Sequence, residues 1–348
     1  MVMVLQDEIR RSRASCSLEL SFMSDLTLVR EIGRGGFGTV YSGFWRKMPA
    51  AIKAMHARVD DGEAVSDAME IAVLSNASAS ASFCCPDAAE AQPPPRFHAH
   101  AAGRGRGSRA AGSYNLIVME LCDRGSLRDA VRRGAFHRRV RHDEALSVDA
   151  DSVVEVLLDV ASSLQYLHDR ANLVHGDVKL DNVLLKSDAS TPLGFVPKLS
   201  DFGLTKVLSP DARRRVINLV GAGTVTHLAP ELLIRGSEIT PAVDVFSFGI
   251  LMFELFAATQ PYAGLSRDAI IAGVLHRDLR PTFPPGTPPP FAALAAACWA
   301  RAPAARPGFA EVILALRQMR GRPLPAPRPA PRPAPLLAPL PVAAPMPT

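Results

Sequence analysis

Three observations predict an α+β fold of two parts, a small β-rich part followed by a larger, mostly helical one. From Leu26 the chain alternates and breaks at glycines, as in TLVREIGRGGFGTVYSGF and then AAIKAM, which is the pattern of β-hairpins. Residues 152–169, SVVEVLLDVASSLQYLHD, carry the apolar spacing of a long amphipathic helix. Residues 242–258, AVDVFSFGILMFELFAA, are apolar on every face and predict a buried helix.

The remaining elements fall in order around these. Residues 1–25 read as an N-terminal extension. EAVSDAMEIAVLS at 63–75 has helical spacing, whereas 77–113 lose periodicity, become rich in Ala, Pro, Gly and Arg, and read as an irregular insertion with RFHAHAA (96–102) as its one strand candidate. LIVMEL at 116–121 is an apolar run of strand length that ends the small part near residue 119. A hinge follows at 120–125, and the helical part runs from 126 to 320, closing with the helices of 291–319. From 321 to 348 the chain is PLPAPRPAPRPAPLLAPLPVAAPMP-like, which predicts polyproline II or disorder because proline cannot donate to helix or sheet.

Composition narrows the function classes. At 348 residues with 48% hydrophobic and 21% charged residues, the chain can bury a sizeable core. A formal charge of +5 is mild and does not point to a nucleic-acid partner. No run of about 18 apolar residues is present, so no membrane span is expected. Five cysteines (16, 84, 85, 122 and 298) with no CxxC pair, and an N-terminus without a signal-peptide pattern, predict reduced thiols in an intracellular, cytoplasmic setting.

The chemistry is concentrated in two runs. HGDVKLDN at 175–182 puts Asp177, Lys179 and Asn182 on one short loop, and DFG at 201–203 adds Asp201. Two acids, an amide and a lysine at this spacing can orient a hydroxyl nucleophile and hold the metal of a nucleotide triphosphate. Upstream, GRGGFGTV at 33–40 has Gly33, Gly35 and Gly38 where backbone N–H groups must approach phosphate oxygens without a Cβ in the way. Lys53 lies 15 residues after Gly38. Only six of the 39 basic residues are lysines, leaving 33 arginines, yet positions 53 and 179 both have lysine. A compact ammonium and a wide guanidinium fork are not interchangeable at a tight phosphate site, so these lysines argue against drifted decay.

On these motifs, followed by APE at 229–231, the chain resembles the eukaryotic protein kinase family from about residue 26 to 320. The resemblance implies a bilobal protein kinase fold, with ATP and Mg²⁺ as cofactors and a protein Ser/Thr hydroxyl as acceptor. It implies Asp177 as the catalytic base or hydroxyl-orienting acid, Lys179 as the charge neutraliser, and Asn182 and Asp201 as metal ligands. Lys53 would hold the α- and β-phosphates and pair with Glu70, Glu63 being the second candidate. Ile32, Val40, Ala51 and Leu184 would enclose the adenine, Met119 would stand behind it, and the backbone of Glu120 to Cys122 would contact the base. LIVMELCDRGSL, GTVTHLAPE, DVFSFGIL and CWARAP-x-x-RP-x-F resemble the tyrosine-kinase-like serine/threonine group, and Lys179 with Thr224 favours Ser/Thr over Tyr.

Structural expectations accompany these roles. Glu231 should pair with Arg306, Asp244 should brace the catalytic loop, and His175 should pack against Phe202. The chain departs from the family in two places. Gly176 stands where HRD has arginine, and Pro210 through Gly223 contain no Ser, Thr or Tyr, so regulation by a phosphorylated loop is not expected. The irregular 77–113 stretch is the second departure, and together they define an alternative reading as a nucleotide-binding pseudokinase. The arginine-punctuated tail also fits a polyproline-binding partner.

Overall fold

The computed structural model describes residues 26–35, 38–56, 114–139, 146–208 and 223–320. The expected helix at 63–75 with Glu63 and Glu70, the insertion at 77–113, the two ends of the chain and the centre of the activation segment lie outside the described residues.

Strands β1 (Leu26–Gly35), β2 (Gly38–Trp45), β3 (Met48–His56) and β4 (Tyr114–Glu120) form one antiparallel sheet in sequence order. The β2–β3 turn has two central residues, Arg46 and Lys47, with φ of 48° and 68°. That double left-handed geometry matches the strand twist and fixes the register of the hairpin. Lys53 thereby stands opposite Val40 and Ile117, and Ala51 opposite Ser42 and Met119. Directly opposed residues share a face, as do residues two apart. Val40, Ala51, Lys53 and Met119 therefore present on one side of the sheet, while fully buried Ile52 points to the other.

The helical part comprises α1 (Leu127–Arg132), α2 (Ala150–Asp169), α3 (Ala242–Ala257), α4 (Arg267–His276), α5 (Pro289–Cys298) and α6 (Phe309–Met319). Short two-stranded ladders join β5 (His137–Arg139) to β6 (Leu146–Val148), β7 (Leu173–Val174) to β10 (Lys206–Val207), and β8 (Val183–Ser187) to β9 (Phe195–Leu199). Helix α3 is buried from Val243 to Phe256, in line with its uniformly apolar sequence. It forms the axis on which α2, α5 and the catalytic loop pack. Helix α2 begins at Ala150, two residues before its apolar run, because the Asp149 side chain accepts the Ser152 N–H and caps the first turn. The closing run is two helices: Pro303 and Pro307 lack the amide protons a helix interior needs, and α6 restarts where Glu311 accepts the Gly308 N–H. No described helix is long and apolar enough to cross a membrane.

Candidate active site

A cleft of about 910 Å³ opens between the sheet and the β8–β9 hairpin. Its upper wall carries Ile32, Gly33, Gly38, Val40, Ala51 and Lys53. Met119, Glu120 and Cys122 close the back, and Leu184, Asn182 and Asp201 lie below. The residues expected to hold a nucleotide therefore converge, although they come from segments up to 169 positions apart in sequence. Gly33 faces open space, with nothing within 4 Å of where a Cβ would stand, and Gly38 has φ of +140°. Gly35 pairs with Gly38 at the tip of the β1–β2 ladder.

Lys53 is buried, with Nζ 3.5 Å from Asp201 Oδ1. Asp201 itself holds φ of +61°, a left-handed conformation that a non-glycine residue adopts at a cost and that neighbours must enforce. Phe202, fully buried, supplies that anchor by packing on His175 with ring centroids 5.1 Å apart. The backbone thus drives Phe202 inward and leaves the Asp201 carboxylate in the cleft beside Lys53.

The loop between β7 and β8 is braced from beneath. Asp244, wholly buried on α3, accepts the N–H groups of His175 at 2.8 Å and Gly176 at 2.9 Å, and lies 2.8 Å from His168 Nε2. Burial pushes the Asp244 carboxyl up, but the His168 contact and the Gly176 N–H outweigh this and hold it below its ordinary value. These bonds fix Asp177. Lys179 Nζ donates to Asp177 Oδ2 at 2.5 Å, Asn182 Nδ2 donates to the same oxygen at 3.0 Å, and the Thr224 N–H and hydroxyl donate to Oδ1 at 3.1 and 3.0 Å. Burial again opposes ionisation, yet Lys179 and Thr224 together lower the Asp177 pKa below its ordinary value. Lys179 also donates to the Thr224 hydroxyl at 2.8 Å. Asn182 spends its NH₂ group on Asp177, which leaves its amide oxygen as the atom able to face a cation.

Gly176 has φ of +82°, and a Cβ there would stand 2.8 Å from the Leu204 carbonyl oxygen. Glycine suits this position on both counts. Glu231 and Arg306 form the expected pair through two contacts of 2.5 and 2.9 Å, and the Arg306 side chain is fully buried.

Two features were not foreseen. Arg128 on α1 donates to Asp181 of the catalytic loop at 2.7 Å and, through both terminal nitrogens, to buried Glu254 on α3. Ser126 and Asp129, which also line the cleft, form the capping box that starts α1. The spacing S-x-x-D was the available signal for that cap; nothing local marked Arg128.

The protein kinase domain family matches residues 26–315. The probable serine/threonine-protein kinase drkC of Dictyostelium discoideum is 29% identical over 299 residues, 85% of this chain and 35% of the relative. Mitogen-activated protein kinase kinase kinase 11 of Homo sapiens is 31% identical over 311 residues, 88% of this chain and 32% of the relative. The chain spans about a third of the length of the curated relatives it matches. The chain belongs to the eukaryotic protein kinase family, with the tyrosine-kinase-like serine/threonine kinases.

Proposed function

We propose that this chain is an active protein serine/threonine kinase that transfers the γ-phosphoryl group of ATP to a Ser or Thr hydroxyl of a protein substrate, with Mg²⁺ as the divalent ion. The observation that carries this reading is the bonded set Asp177–Lys179–Asn182–Thr224 beside the Lys53–Asp201 contact. Bound ATP and its metal supply the phosphoryl group and screen its charge. The residues fit that pair: the cleft volume suits a nucleotide, and an amide oxygen and a carboxylate are the hard oxygen donors Mg²⁺ takes alongside phosphate.

The chain's own work is mostly positioning. Asp177, ionised by Lys179 and Thr224, accepts a hydrogen bond from the incoming hydroxyl and orients it. Lys179 offsets the negative charge that develops on the transferred group. Lys53, with Glu70 on the following helical stretch (63–75) as its partner and Glu63 as the second candidate, holds the α- and β-phosphates. Asn182 and Asp201 hold the metal. Ile32, Val40, Ala51, Leu184 and Met119 enclose the base, and the backbone of Glu120 to Cys122 contacts its edge. Gly33, Gly35 and Gly38 admit the phosphates.

The kinase domain is taken as residues 26–320, with an extension before it and a proline-rich tail after it that can engage a polyproline-binding partner. A cytoplasmic setting suits reduced thiols; among the described residues, neither Cys122 nor Cys298 is in a disulfide.

Transfer of label from γ-labelled ATP to a generic protein substrate tests this reading. Wild type should transfer, and Lys53→Met and Asp201→Asn should each lose about 10³-fold in rate. Nucleotide-induced thermal stabilisation of the wild type without transfer would support the pseudokinase reading instead.

A further inference from the structure

Glu120, the last residue of β4, begins the hinge with a side chain that is 11% exposed and carries two ammonium partners. Lys198 on β9 lies 2.7 Å from Oε2, and Lys186 on β8 contacts Oε1. Each carboxylate oxygen takes one lysine. A guanidinium fork at either position would tend to span both oxygens and exclude the second cation. In a chain with 33 arginines and six lysines, this one carboxylate draws two of the six.

The rest of the hinge is fastened to the same hairpin. The Leu185 N–H donates to the Gly125 carbonyl at 2.8 Å and the Arg124 N–H to the Leu185 carbonyl at 3.0 Å. The Ser187 N–H donates to Asp123 Oδ1 at 2.8 Å, and Arg124 Nε to Ser187 Oγ at 2.8 Å. Ser126 bridges to Leu184, whose side chain lines the cleft floor. Glu120 to Ser126 are thus tied along β8 from end to end, and the Glu120 ion triad is the tie nearest the sheet.

We propose that Glu120, Lys186 and Lys198 form a positioning clamp that fixes the hinge backbone relative to Leu184 and so sets nucleotide affinity without entering the transfer step. This rests on the kinase reading for the identity of the nucleotide. Lys198 and Lys186 are positioning residues: neither lines the cleft. Lys198 is nearly buried and Lys186 is 38% exposed, so solvent screens the second contact more.

The test is nucleotide affinity by titration with a fluorescent ADP analogue, paired with steady-state transfer kinetics. Lys198→Met should raise the dissociation constant and the KM for ATP about ten-fold, while kcat and the KM for protein substrate stay within about two-fold. Lys186→Met should do the same at about three-fold, and Lys198→Arg, which keeps the charge, should recover affinity to within about three-fold of wild type. Wild-type nucleotide affinity in both methionine variants, or a loss confined to kcat, would overturn the clamp. Should Lys198→Met not fold by thermal melting, Lys186→Met decides, and unchanged affinity there overturns it. Because affinity is read without transfer, a wild type that binds nucleotide but transfers nothing would refute the kinase activity and leave the clamp to be judged on affinity alone.

Discussion

The sheet above the cleft reaches the site through backbone register, whereas the loop beneath reaches it through side chains bonded to one another and to α3. Above, Val40, Ala51 and Lys53 face the cleft because a two-residue turn sets their pairing, and several apolar residues of the same sheet, among them Leu28, Val29 and Phe44, stay exposed. Below, Asp177, Asn182, His175 and Asp244 are all buried, and each has hydrogen-bond partners that are themselves held. The difference separates two tasks. A backbone-defined wall can move as a unit over a ligand, whereas groups that orient a reacting hydroxyl must be held in place before substrate arrives.

Changes in the loop beneath should disturb fold and chemistry together, and changes to the apolar residues of the upper wall should disturb nucleotide binding alone. The largest effect is expected from Asp244→Ala, which strands the buried N–H groups of His175 and Gly176. It should lower unfolding free energy by about 3 kcal/mol in denaturant titration and slow transfer even where the protein remains folded.

The next effect is on pH dependence. Asp177, Asp244 and Glu254 are all held below their ordinary values of 3.8, 3.8 and 4.5, so each binds fewer protons folded than unfolded. Their stabilisation is present above those values and is lost as pH falls through the lowered folded ones. Denaturant midpoints measured from pH 7 down to pH 3 should therefore fall steeply at the acid end, and Glu254→Gln should flatten that fall.

The smallest effect belongs to the sheet. Val40→Ala removes two methyl groups from the upper wall and should weaken ATP binding by about 1 kcal/mol, or roughly five-fold in KM, with kcat unchanged. An equal loss in kcat would erase the distinction between the two walls.

The same division governs what could be read from sequence. The chemistry of the lower loop was legible because HGDVKLDN packs three functional groups into eight positions, and the Glu231–Arg306 pair and the Asp244 brace followed from the same resemblance. Partners fixed only by tertiary packing were not. The Thr224 hydroxyl meets Asp177 from 47 positions away, Arg128 reaches Glu254 across 126, and Lys198 meets Glu120 across 78. No local periodicity encodes such distances. The break between α5 and α6 was visible in Pro303 and Pro307, and 291–319 read as more than one closing helix.

Gly176 bears on both the shape of the catalytic loop and its regulation. Its left-handed φ and the nearby Leu204 carbonyl suit glycine, and without an arginine there the loop has Asp244 as its brace from below. The direct measurement is the initial rate of label transfer from γ-labelled ATP to a protein substrate by phosphatase-treated wild type, beside untreated wild type and Asp201→Asn. Treated protein should keep at least about half of the untreated rate, while Asp201→Asn should be nearly inert. Treated wild type no faster than Asp201→Asn would contradict this.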